Sequence, residues 1–384
     1  MKQLKVVTIL GTRPEIIRLS RVMAALDQHL DHVLVHTGQN YDYELNEVFF
    51  SDLGVKKPNY FLGVAGQSLG ETLGTILIET EKVLAKERPD AVLILGDTNS
   101  AIATIMARRM KIPVYHMEAG NRCFDMNVPE ETNRRLVDHI ADFNLTYTEH
   151  ARRHLLSEGI QHRRIYVTGS PMFEVLHYYR SQIEASEILD EIGLEAGKYF
   201  IVSMHREENV DSRERLQSLV GTLNHIAEQY GYPVILSAHP RTRKRLDAID
   251  QLSLHEGVQA MKPFGFHDYN KLQICCFCAI SDSGTIVEES SILGFPAITP
   301  RDAIERPEGI DAGTLIMTGL DQDTMLSAVE VVTAQHADRV VAGIPHPISV
   351  DYTHHNTSER VLNLILGTAK LSNVWDGVRT HDYV

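Results

Sequence analysis

KVVTILGTRPE, residues 5–15, holds a β-branched apolar run, a two-residue turn of Gly11 and Thr12, and a helical start at Arg13-Pro14-Glu15. A strand, a tight turn and a helix in so short a space open an α/β architecture, with the apolar run as a buried strand. Thr12 and Glu15 fit a capping box, and Pro14 suits a first helical turn. The turn lacks the glycine spacing of a dinucleotide fingerprint, which disfavours a nicotinamide or flavin enzyme.

The same alternation continues outward. HVLVHT (32–37), AVLIL (91–95), PVYHM (113–117), FNLTY (143–147) and RIYVT (164–168) read as strands, with helical patterns from Pro14, after Tyr43, after Ser68 and through Arg109. A turn-rich stretch, TGSPMFEVL (168–176), separates these from a second series: YFIVSMH (199–205), PVILSAH (233–239), GVQAM (257–261), FCAIS (277–281) and PAITP (296–300). At 384 residues the chain exceeds what one core usually supports. The expected organisation is two Rossmann-like α/β domains, 1–170 and 171–357, with 358–384 packing back on the first.

Composition narrows the function. A net charge of −14 argues against nucleic-acid binding through bulk positive charge. No run approaches the roughly 20 apolar residues of a membrane span, so a cytoplasmic protein with no membrane insertion is expected. Cys275, Cys276 and Cys278 lie in the apolar run ICCFCAI. Strand alternation would split them between two faces, and no second cysteine pair exists to complete a zinc site, so they read as buried structural thiols.

Ligands of parallel sheets bind outside the carboxyl ends of strands. Here those ends carry GTRPE, HTGQN, GDTNS, HMEAGN, MHREEN, AHPRTR and SDSGT, polar almost throughout, which favours an anionic ligand. Arg13 reads as a solvated residue or as a phosphate clamp, and the clamp accounts for a positive charge where the helix dipole opposes one. Ser283-Gly284-Thr285 before a helix should present free backbone N–H groups to an anion, though such a sequence is often only a cap. Glu289 can take a ribose diol or be an exposed helical glutamate; Arg306 can meet phosphate or uracil, or form a surface salt bridge. Asp97, Glu118 and Glu130 are candidate acids, and Glu130 with Arg134, spaced i and i+4, is equally a structural ion pair. Carboxylates crowded at one pocket shift one another's pKa values and so divide into acid and base. His205 and His239 follow second-series strands and complete the set, or are structural.

Taken in order, GTRPE with Arg13, GDTNS with Asp97, HMEAG with Glu118, PEETNRR with Glu130 and Arg134, MHREEN with His205, and SDSGTIVEES with ERPEG resemble the non-hydrolysing UDP-N-acetylglucosamine 2-epimerases across nearly the whole chain. The resemblance implies a glycosyltransferase-B-like fold with the domains facing across a cleft. It also implies no metal or nicotinamide, a UDP-N-acetylamino sugar as ligand, and a homodimer. It makes Asp97, Glu118 and Glu130 the acid/base carboxylates, with His205 and Arg134 assisting. UDP contacts would be Arg13, His239, Ser283, Gly284, Glu289 and Arg306.

Three positions depart from the family pattern: Arg18 replaces a lysine, Thr285 a glycine, and Gln39-Asn40-Tyr41 a QHR segment where some members bind a second, activating UDP-sugar. With NYDYELNEVFF and GNRCFD, these look like the branch that makes UDP-N-acetyl-L-fucosamine for capsule or O-antigen. A glycosyltransferase of the same fold is the enzymatic rival, and the acid-rich first half argues against it. A non-catalytic nucleotide-sugar sensor would not need the three acids.

Overall fold

The computed structural model describes residues 3–38, 50, 52–204, 206, 209, 212–238, 243, 245–246 and 253–378. The chain forms two compact units, Met1–His177 with His354–Val384, and Tyr178–Thr353.

The first unit is built on seven parallel strands: β1 (Lys5–Leu10), β2 (Asp31–His36), β3 (Tyr60–Phe61), β4 (Ala91–Leu95), β5 (Val114–Met117), β6 (Phe143–Thr146) and β7 (Ile165–Val167), ordered β3-β2-β1-β4-β5-β6-β7. All five residues of β4 are buried, as both faces of a helix-covered parallel sheet require. Val6 pairs with Ala91 and Ile9 with Ile94, which brings the ends of β1 and β4 level. Ile94 is fully buried among Val7, Ile9, Val92 and Val114. Truncating it to alanine would cost about 2–5 kcal/mol.

The second unit repeats the plan with six parallel strands: β8 (Phe200–Ser203), β9 (Val234–Ser237), β10 (Val258–Met261), β11 (Cys278–Ser281), β12 (Ala297–Thr299) and β13 (Ile316–Met317), ordered β10-β9-β8-β11-β12-β13. In both sheets the strand order reverses once, between β1 and β4 and between β8 and β11. Each unit is therefore a doubly wound, Rossmann-like sheet with one topological switch point.

The first unit keeps the chain through 177 and takes it back at 354, where the sequence suggested 170 and 358, and side-chain ties explain it. The helix Met172–Tyr178 buries Met172, Phe173, Val175 and Leu176. Its Glu174 accepts the Ser358 amide at 2.9 Å. Thr357 donates its hydroxyl to the Thr168 and Ser170 carbonyls, both at 3.2 Å. The His354 ring packs so closely on Gly169 that a Cβ there would meet it at 2.2 Å. Residues 171–177 and 354–357 consequently stay with the first unit, as does the helix Thr357–Trp375. Among the described residues no helix is long and apolar enough to cross a membrane.

The run ICCFCAI is not one strand. Cys275 caps the helix Phe266–Ile274, and Cys278 begins β11. Cys276 and Cys278 are buried, which raises both thiol pKa values, and all four cysteines are free.

Candidate active site

At the switch point of the first unit, the turn after β1 and the turn after β4 are tied by one carboxylate. Glu15, fully buried, accepts the Gly11 amide at 3.0 Å and the Thr12 hydroxyl at 2.8 Å through Oε2, and the Thr98 hydroxyl at 3.2 Å through Oε1. Only half of the expected capping box is formed: Glu15 accepts the Thr12 amide, but the Thr12 side chain, at the N-cap, donates to Glu15 instead of accepting a helix amide. Burial raises the Glu15 pKa to about 7 against these hydrogen bonds. Arg13 and Pro14 then open the helix Arg13–His29.

Asp97 follows β4 and is held by Arg134, whose Nε and Nη2 lie 2.9 and 2.7 Å from Oδ2. Arg134 also reaches Glu131 Oε2 at 2.8 Å, and Asn133 donates to the Asp97 carbonyl at 2.9 Å. Glu118 follows β5, with Arg18 Nη1 3.5 Å from its Oε2. The Arg18 guanidinium is nearly buried and lies over the Tyr147 ring at 5.7 Å. The backbone of Glu118 is left-handed (φ 64), a conformation that costs a non-glycine residue about 1–3 kcal/mol and is found at functional sites. The carboxylates of Asp97 and Glu118 are 28% and 15% exposed, so each is anchored from behind yet still open to a ligand.

Glu130 occupies the first turn of the helix Pro129–Ile140 and is half-buried. The ion pairs of Arg134 run to Asp97 and Glu131, whereas the spacing suggested Glu130. Glu131 is the buried hub of this helix. It also accepts from the Cys123 amide and thiol and from Arg135. Burial pushes its pKa up, but those hydrogen bonds outweigh the effect and hold it down to about 2. The sequence reading missed it. Positions 131, 134 and 138 recur at helical spacing and share one face, a signal that polar residue types disguise.

In the second unit Ser283 and Gly284 follow β11 at the switch point, before the helix Ile286–Leu293. The Ser283 and Thr285 amides are not left free as expected. Ser283 N–H donates to Ser281 Oγ, Thr285 N–H to Ser283 Oγ, and Ile286 N–H to the Ser283 carbonyl. Small hydroxyl side chains satisfy their own turn. A Cβ at Gly284 would meet Glu305 Oε1 at 2.7 Å, so a larger residue there would push aside a carboxylate paired with Arg206 and Arg301.

Glu289 is not an exposed helical glutamate: it is 8% exposed, and its Oε2 accepts from Gln273 at 2.7 Å. Arg306 is likewise buried, its Nη1 donating to the Gly284 carbonyl at 2.9 Å and to Glu288. Its visible role is to hold the turn.

The first unit thus gathers Arg18, Asp97, Glu118 and Arg134, with Glu130 on the same helix as Arg134. The second gathers Ser283, Gly284 and Arg306, with Glu289 one helix turn on. His205, His239 and Gln39-Asn40-Tyr41 lie outside the described residues. Among the described residues no group of three or more His, Cys, Asp or Glu is placed to hold a metal ion.

Known proteins resemble the chain along most of its length. A family model described as UDP-N-acetylglucosamine 2-epimerase matches residues 24–366. The UDP-N-acetylglucosamine 2-epimerase of Methanocaldococcus jannaschii is 38% identical over 343 residues, covering 86% of this chain and 92% of the relative. The structure of the Rickettsia bellii UDP-N-acetylglucosamine 2-epimerase superposes with a TM-score of 0.90 at 45% identity, covering 97% of this chain and all (100%) of the other. That of the M. jannaschii protein in complex with UDP-GlcNAc and UDP superposes with a TM-score of 0.87 at 35% identity, covering 95% and 100%.

Proposed function

The chain belongs to the UDP-N-acetylglucosamine 2-epimerase family, and from that membership we propose that it inverts C2 of a UDP-linked N-acetylamino sugar by eliminating UDP and adding it back. It is a non-hydrolysing UDP-sugar 2-epimerase. The observation that carries the mechanism is the pair of anchored, ligand-accessible carboxylates, Asp97 on Arg134 and Glu118 on Arg18.

The hydrogen at C2 has no adjacent carbonyl, so direct deprotonation would face a very high barrier. As the C1–O bond breaks, UDP leaves with its electron pair and C1 develops positive charge, which acidifies C2. A carboxylate takes the proton, and the C2–H electrons become the double bond of a 2-acetamidoglycal. Proton delivery to the opposite face of C2 and attack of the UDP oxygen on C1 complete the inversion. The protein must supply acid–base groups and stabilise charge on the departing diphosphate. We assign the first role to Asp97, Glu118 and Glu130, assisted by Arg134, Arg18 and His205. UDP is assigned to Arg13, His239, Ser283, Gly284, Glu289 and Arg306, and the molecule to a homodimer.

Within this class the proposed substrate is UDP-2-acetamido-2,6-dideoxy-L-talose, giving UDP-N-acetyl-L-fucosamine for capsule or O-antigen. Arg18, Asn40, Tyr41 and the GNRCFD segment support it, and UDP-N-acetylglucosamine is the alternative that the relatives' names support. A site without a partner for a 6-hydroxyl disfavours the glucosamine compound by about 1–3 kcal/mol, or roughly tenfold. Incubating pure protein with each UDP-sugar, without acceptor or cofactor, and following C2 configuration by NMR tests the reaction. Side-by-side kcat/KM values test the substrate. Equal or better turnover of UDP-N-acetylglucosamine would return the chain to the general branch.

A further inference from the structure

Behind the turns of Asp97 and Glu118 lies a second cluster of charge, enclosed by protein. His116 and Asp138 are 0% and 1% exposed. His116 Nδ1 is 2.9 Å from Asp138 Oδ1, and Nε2 is 2.8 Å from the Gly96 carbonyl oxygen. Both neighbours are acceptors. A carbonyl has no hydrogen to give, and Asp138 is kept an acceptor by Arg122 Nη1 at 2.7 Å and the Gly120 amide at 3.1 Å. A neutral imidazole has one N–H, so one bare nitrogen would face an oxygen lone pair in either tautomer. The Nδ1 contact with Asp138 is a close ion-pair approach rather than an aligned hydrogen bond, and only the imidazolium makes it attractive while Nε2 donates to the Gly96 carbonyl.

Charge balance agrees. Arg122 also pairs with Glu158 at 2.7 Å, so two carboxylates share one guanidinium, and Asp97 adds negative potential nearby. A positive His116 with Arg122 balances Asp138 and Glu158. Burial alone would lower its pKa, but the close contact and charge of Asp138, with the Gly96 carbonyl, outweigh burial and raise it.

Each contact of His116 leads to an acid-bearing turn, one directly and one through Asp138. Gly96 immediately precedes Asp97. Asp138 receives the amide of Gly120, in the turn that Glu118 opens with its left-handed backbone. We propose that His116 is a permanent imidazolium and a positioning residue, tying the turn of Asp97 to the turn of Glu118 through Asp138. Its effect on turnover rests on the function proposed above; its protonation state does not.

Neutron diffraction from the unaltered protein at pD about 8, above the ordinary histidine range, should show deuterium on both ring nitrogens. A bare nitrogen overturns the proposal. In solution His116→Gln keeps a donor but loses the charge, and kcat should fall about tenfold or more while KM changes less than about twofold. Asp138→Asn should give a kcat that declines relative to the unaltered enzyme as pH rises from about 6 to 8, where the uncompensated imidazole sheds its proton. Unchanged kcat and pH profiles in both variants would equally overturn it. If the unaltered protein turned over no UDP-sugar, the functional reading would fail, and the neutron map would still decide the imidazolium.

Discussion

Arg134 holds a single oxygen of Asp97 with two nitrogens, Nε at 2.9 Å and Nη2 at 2.7 Å. Among the described residues the other oxygen is left for a ligand, and the fork fixes its direction in a way a point charge cannot. Arg134→Lys should therefore lower kcat about tenfold or more while UDP affinity is retained. Full activity in the lysine variant would show that the fork does not orient the acid.

Glu131 supports that fork from inside the helix, and its low pKa makes the support pH-dependent. A carboxyl depressed from its ordinary 4.5 to about 2 contributes stability that is present above about 4.5 and lost as pH falls toward 2. Glu131→Gln should be less stable at neutral pH by about 3 kcal/mol, since Arg134 loses a buried partner. It should also lack the wild-type decline in acid. Urea denaturation at several pH values measures both; parallel curves for the two proteins would exclude the assignment.

Glu15 behaves in the opposite sense. Its pKa is raised from 4.5 to about 7, so the folded state binds an extra proton between those values. Its contribution is complete below about 4.5 and disappears as pH rises through 7. Relative to Glu15→Gln, the wild type should lose up to about 1.4 kcal/mol of stability per pH unit in that window. A difference between the two proteins that does not vary with pH would contradict a buried, proton-binding Glu15.

Gly120 and Gly159 provide a matched test of the turn behind Glu118. Both have left-handed backbones, φ 83 and φ 85, but a Cβ at Gly120 meets the Ala151 carbonyl oxygen at 2.4 Å whereas Gly159 has nothing within 4 Å. Gly159→Ala should cost about 1 kcal/mol and Gly120→Ala distinctly more. Only the second should also impair catalysis. Equal costs would mean that the turn yields freely.

The fold was legible because buried parallel strands leave continuous apolar runs such as AVLIL, and both sheets repeat that signal. The edge strands Tyr60–Phe61 and Ile316–Met317 were not, because two residues carry no period. Asp97, Glu118, Ser283 and Gly284 follow strands in the structure, the position that marked them in the sequence. Glu131, His116 and Asp138 were missed because burying a charge depends on partners far along the chain, and composition treats a polar helical face as solvated. Thr12 and Glu15 show the same limit: their spacing was read as a cap, but Thr98, brought in by β4, changed what the carboxylate does.

The account stands most directly on the fate of the hydrogen at C2. Pure protein should be incubated with UDP-2-acetamido-2,6-dideoxy-L-talose, and separately with UDP-N-acetylglucosamine, in heavy water, with C2 read by NMR. Elimination and re-addition predict an epimer that carries solvent deuterium at C2, formed without added cofactor, and a loss of at least about 10²-fold in rate for Asp97→Asn or Glu118→Gln. An epimer that keeps its original hydrogen, or no change at C2 with either sugar, would contradict it.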